Sequence, residues 1–166
     1  MRVNAGRFRH MPCPVIRLLD LTGPPTAAAV LALQRAAYAV EADLIGFDGI
    51  PGLHDTPASL RTSGETFAGA WRGGALVGAV SYRRAGDVLD VHRLVVDPAS
   101  FRTGVATALL RFAEAAEDGV GRIVVSTGER NAPARALYAR AGYRLVGRRE
   151  VAPGVVVVGL EKRLSA

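Results

Sequence analysis

The spacing of apolar and polar positions divides the chain into a strand, a helix, a group of strands, and then strands alternating with helices. Residues 15–21 read as a short strand, and Gly23-Pro24-Pro25 punctuates it. A helical stretch over residues 26–42 follows, in which Val30, Leu33, Ala37 and Val40 recur at three- and four-residue spacing. Residues 46–56 are rich in glycine, proline and aspartate and read as a loop of the kind that holds substrate, with a short helix over 57–62 after it. Residues 66–71 and 75–83 are strand-like about the turn Arg72-Gly73-Gly74, and a third strand runs over 88–96. Three neighbouring antiparallel strands are the expected result.

The pattern then changes to a helix over about 103–117, a strand at 122–126, a helix over about 132–141, and closing strands near 143–151 and 155–163. The strand, helix and strand in the middle form a crossover, which must join parallel strands in the right-handed sense. The expected class is therefore α+β with a mixed, mostly antiparallel sheet. The apolar run 155–158 looks exposed and offers a strand for pairing across a homodimer. No internal repeat or low-complexity segment interrupts the order.

Composition narrows this picture without changing it. At 166 residues, 49% hydrophobic and 22% charged, the chain has the makings of one globular domain, and folding at this size hides roughly 70% of the extended chain's surface. The expected division is a flexible tail over residues 1–12 and one domain over 13–166. Residues 1–17 carry Arg2, Arg7, Arg9 and Arg17 but no continuous apolar stretch, so the sequence shows neither a secretory signal nor a membrane anchor. Cys13 is the single cysteine, and no Cys and His residues stand at metal-ligand spacing. A cytoplasmic protein without a metal is expected. The net charge of +6 raises the question of nucleic acid, yet the arginines are scattered with acidic residues between them, which argues against a nucleic-acid surface and suits an anionic cofactor.

Chemistry shows first in VDPASFRTGVATALL, residues 96–110, where an apolar strand ends at Asp97-Pro98 and a glycine-containing turn leads into a helix. Free amides at a helix start, reinforced by the helix dipole, favour a phosphate, Gly104 allows close approach, and Arg102 can add a charge-assisted hydrogen bond. The second signal is STGERNAPARALYARAGYRL, residues 126–145, in which Asn131 is a good helix N-cap, Gly142 a good stop, and Ala134, Leu137, Tyr138 and Ala141 share a helix face. Read from the residues alone, Tyr138 is equally a core aromatic.

Taken together, the two motifs resemble those of the GNAT superfamily of N-acetyltransferases. The first matches the family's acetyl-coenzyme A loop at Gly104 and Ala106, with Phe101 where the family usually has Arg or Gln and Arg102 one step late. Asn131, with Tyr138 seven residues on, matches the second. The resemblance implies a central parallel pair of strands that splays apart, with helices on both faces. Leu94, Val95 and Val96 on one strand and residues 123–126 on the other would flank the pantetheine arm of acetyl-coenzyme A. Arg102, Thr103, Gly104, Val105, Ala106 and Thr107 would hold its pyrophosphate, with Asn131 nearby. It also implies direct attack of a neutral amine on the thioester, with Tyr138 as acid for the departing thiolate.

A protonated amine needs a base, and His92 and Asp90, which alternate onto one strand face, are the candidates. Tyr38, Glu41, Asp43, Asp48 and Asp55 form an acidic group suited to a cationic acceptor, with Glu41 the leading substrate-binding residue. The expected partner is an amine, on a small molecule or a protein, with neither nucleic acid nor membrane. A non-catalytic acetyl-coenzyme A sensor is the alternative.

Overall fold

The computed structural model describes residues 11–165. Seven strands build one mixed sheet: β1 (Val15–Leu18), β2 (Thr66–Arg72), β3 (Ala75–Ala85), β4 (Val88–Val96), β5 (Arg122–Gly128), β6 (Arg144–Ala152) and β7 (Val155–Arg163). Their order across the sheet is β1-β2-β3-β4-β5-β7-β6, with β4 and β5 the parallel pair and every other neighbour antiparallel. Helices α1 (Pro24–Ile45), α2 (Pro57–Thr62), α3 (Val105–Ala115) and α4 (Ala132–Arg140) flank it. The class matches the sequence expectation. The tail expected over residues 1–12 lies almost wholly outside the described residues.

Alternation along the strands sorts the core into two faces. Val80 and Val96 join Val105, Leu109, Leu110, Tyr138 and Leu160 on the α3 and α4 face, while their neighbours Ala79 and Val95 join Leu33 of α1 on the other. Leu21, Val30, Leu31, Leu60 and Phe67 extend that second face under α2. The side chains of α3 pack directly onto the backbone of β3 at Gly78: a Cβ at that position would stand 2.7 Å from Val105 Cγ1 and 2.8 Å from Leu109 Cδ1. This contact fixes where α3 begins.

Two features of the sheet depart from a simple alternating reading. Ser81 pairs with Arg93 and Tyr82 with Val91, so His92 is an extra residue in β4, a β-bulge. The inserted residue swaps the faces: Leu89, Val91, Leu94 and Val96 all pack on the α3 side, whereas Arg93 and Val95 point to the α1 side. The parallel ladder stops at the same place, its last pair being Val91 with Val125. Only past that point do the strands part. Residues 123–125, expected to flank the gap, are therefore still paired to β4, and the open edges are 94–96 and 126–128.

The apolar run over 155–158 is a second correction. β7 lies between β5 and β6 and spends both edges inside the sheet, so it has none left for another chain; its apolar character is that of an interior strand. Among the described residues the edge strands are β1 and β6, and on β6 Leu145 and Val146 are 49% and 62% exposed.

Candidate active site

The turn between β4 and α3 is shaped to receive an anion. Asp97 closes the strand, its N–H donating to Val77 O at 2.9 Å and its carboxylate accepting from Ala99 N at 3.0 Å. One 3-10 turn (Pro98–Ser100) later, the backbone passes through the left-handed region twice, at Arg102 (φ 60°) and Gly104 (φ 85°). At Arg102 this costs on the order of 1–2 kcal/mol, whereas glycine adopts it freely. Left-handed residues of this kind allow successive N–H groups to line a concavity, as in an anion nest.

The first helical bond of α3 runs from Ala108 N to Gly104 O, and the N–H groups of Arg102, Thr103, Gly104, Val105, Ala106 and Thr107 donate to no acceptor among the described residues. Six free amides at a helix N-terminus favour a negatively charged group. A Cβ on Gly104 would meet nothing within 4 Å, so the concavity is open to a ligand there. The residues named from the sequence for a coenzyme pyrophosphate thus fit that group. The bare edges of 94–96 and 126–128 open beside them and suit an extended amide-bearing chain.

On the α1 side of the bulge stands a cluster of charge. His92 Nδ1 is 3.5 Å from Glu65 Oε1 and its Nε2 is 3.3 Å from Asp90 Oδ2, so the two base candidates are brought together. His92 is about one-third exposed and Asp90 about one-half, within reach of an incoming molecule. Behind them, Arg93 makes ion pairs to Glu65 and, at 3.0 Å, to Asp55, with its guanidinium 5.4 Å from the Phe67 ring centroid. Glu65 also accepts from Ser81 Oγ at 3.0 Å, and Asp55 from Gln34 Nε2 at 2.8 Å. Glu65, Arg93 and Gln34 escape a reading of the sequence; they are joined only by the bulge and by contacts across 21 to 38 residues of chain.

Tyr138 is buried at 4% exposure, edge-on to Tyr143 with ring centroids 5.5 Å apart. Its hydroxyl has no hydrogen-bond partner among the described residues. Burial first, then the charge of Glu41 and the neighbouring Tyr38, hold its pKa well above the usual phenol value, so it carries its proton across the working pH range. Glu41, half-buried in the last turns of α1, has its carboxyl pushed up by burial, while the neighbouring Asn131 side chain and Gly128 N–H oppose the shift. Asn131 Oδ1 accepts from Ala134 N at 3.2 Å and caps α4. Asn131, at the start of the helix carrying Tyr138, thus also lies near the carboxyl of Glu41.

A β-bulge, a parting parallel pair and a free-amide turn at the head of α3 mark a domain of the GNAT type. The chain belongs to the Acetyltransferase (GNAT) family, whose model matches residues 32–143. It is 39% identical over 143 residues, 86% of its length, to the UPF0157 protein YqkA of Bacillus subtilis (strain 168), and spans 42% of the length of that relative. Among solved structures it shares the fold of the ribosomal-protein-S18-alanine N-acetyltransferase of Escherichia coli, with a TM-score of 0.73 at 18% identity covering 92% of this chain and 95% of that one. It also shares the fold of the PaiA N-acetyltransferase of Thermoplasma acidophilum solved with coenzyme A, with a TM-score of 0.70 at 14% identity covering 92% and 100%.

Proposed function

We propose that this chain transfers the acetyl group of acetyl-coenzyme A to a primary amine carried by a cationic acceptor. The observation that carries this reading is the row of six free amides over 102–107, opening onto the two unpaired strand edges. Bound there, acetyl-coenzyme A supplies an acetyl group activated as a thioester. The amides of 102–107 hold the pyrophosphate, and the backbone of Leu94, Val95 and Val96 pairs with the pantetheine arm. Asn131 orders the start of α4 beside it.

The acceptor enters from the α1 side, where Glu41 and Asp90 have no ion pair to an arginine or lysine among the described residues and oppose the net positive charge of the whole chain. Glu41 holds a positive group of the acceptor. His92 takes the proton from the attacking amine at Nε2, with Asp90 beside that nitrogen and Glu65 steadying Nδ1. As the new N–C bond forms and the C–S bond breaks, Tyr138 returns a proton to the sulfur. No metal takes part, and neither nucleic acid nor a membrane is a partner in this reading. No described helix is long and apolar enough to cross a membrane, and the lone exposed Cys13 suits the reducing conditions of a cytoplasmic protein.

Thiol release measured with acetyl-coenzyme A against a panel of amines tests the reading. Turnover with one or more cationic amines is expected, and binding without thiol release for every class of amine would make the chain a sensor instead. Gly104→Val places a β-branched residue at φ 85° and fills the open concavity, so calorimetry should show at least a tenfold loss of acetyl-coenzyme A affinity. Unchanged affinity in the folded variant would remove the pyrophosphate assignment.

A further inference from the structure

Arg72 ends β2, far in sequence from the anion turn, yet its guanidinium reaches it. Nη1 donates to Thr103 Oγ1 at 3.0 Å and Nε to Pro12 O at 3.0 Å. The Thr103 hydroxyl in turn donates to Ser100 O at 2.6 Å. No carboxylate among the described residues pairs with Arg72, so its charge is left free beside the turn. Thr103 is the single residue between Arg102 and Gly104, the two at positive φ, and hence the point at which the turn is pinned.

We propose that Arg72 is the positioning residue of the diphosphate cradle: through Thr103 it fixes the backbone so that the amides of 102–107 converge, and its free charge faces the anion they hold. The proposal rests on the acetyl-coenzyme A reading above. A turn that must adopt a left-handed conformation at Arg102 gains most from an outside anchor. The side chain of Arg102 is exposed and has no ion pair among the described residues, whereas Arg72 reaches the turn from another strand and bonds to it. Because preorganised donors lose no freedom when the ligand arrives, the effect should fall on binding.

Calorimetry with acetyl-coenzyme A on Arg72→Gln, Arg72→Lys, Thr103→Val, Thr103→Ser and the Arg72→Gln/Thr103→Val pair separates the outcomes. Arg72→Gln and Thr103→Val should each raise Kd about tenfold, Thr103→Ser should bind as the parent does, and the double variant should lose little more than either single one, because both break the same link. Arg72→Lys, which keeps the charge and loses the fork, should fall between. In kinetics the loss should appear in KM for acetyl-coenzyme A while turnover at saturating donor is retained. Arg72→Gln within twofold of the parent, or losses that multiply in the double variant, would overturn the proposal. If the parent chain fails to bind acetyl-coenzyme A, the functional reading falls; if the parent binds and Arg72→Gln binds equally, only the role of Arg72 falls.

Discussion

Tyr138 and Glu41 lie near enough for the charge of one to act on the other, and burial raises the pKa of both. Tyr138 is held in its protonated form by burial and by the charge of Glu41, the condition an acid needs. Replacing it by phenylalanine keeps the ring packing against Tyr143 and removes only the proton, so turnover should fall by about 100-fold while acetyl-coenzyme A affinity and Tm hold. Wild-type turnover at saturating substrates would take Tyr138 out of the mechanism. Glu41 makes the converse case. Its pKa is raised in the fold, so the folded state favours the protonated carboxyl, and stability is lost as pH rises from the ordinary carboxylate value through the raised one. At neutral pH the charge is therefore a cost to the fold. Glu41→Gln should raise Tm by a few degrees at pH 7 and flatten its pH dependence between about pH 4 and the raised pKa, while raising KM for the amine. A lowered Tm with unchanged KM would show a merely structural carboxylate.

Among the elements, β4 decides most. The bulge at His92 ends the parallel ladder, turns Arg93 toward Glu65 and Asp55, and leaves the edge 94–96 bare. Breaking the buried Arg93 network by removing one partner would strand a charge at a cost of about 3–5 kcal/mol, so these residues bind the loop after α1 to the sheet. On the opposite face, the closeness of α3 to β3 depends on the missing side chain of Gly78. Gly78→Ala would drive a methyl into Val105 and Leu109, at about 1–3 kcal/mol. Because Val105 is the first residue of α3, that strain displaces the anion turn itself. The expected result is a lower Tm together with weaker acetyl-coenzyme A binding, measured by melting and calorimetry on one preparation. A lower Tm with unchanged affinity would show that the turn holds its shape independently of α3.

At the scale of the whole molecule, the element order was legible from local signals: glycine and proline breaks, alternation, the turn at Gly104 and the cap at Asn131. The turn with the free amides was legible for the same reason, since its shape is backbone geometry that only a few residue types permit. The bulge was not, because an inserted residue in VHRLVV carries no side-chain mark, and with it went Glu65, Arg93 and the true position of the gap. The apolar run at 155–158 misled because an interior strand and a sticky edge share one composition. The gap itself yields the last prediction. Past Val91 and Val125 the two halves of the sheet share no ladder bonds, so a cofactor paired with both edges would join them. Saturating acetyl-coenzyme A at 100 times its Kd should add about 2.7 kcal/mol, raising Tm by about 5–10 °C for a chain of this size. Hydrogen exchange should then slow at three separate places: the amides of 102–107, the edge 94–96 and the edge 126–128. Protection confined to 102–107 would mean that the pyrophosphate binds while the pantetheine arm lies elsewhere, and the placement of the thioester beside His92 and Tyr138 would have to be abandoned.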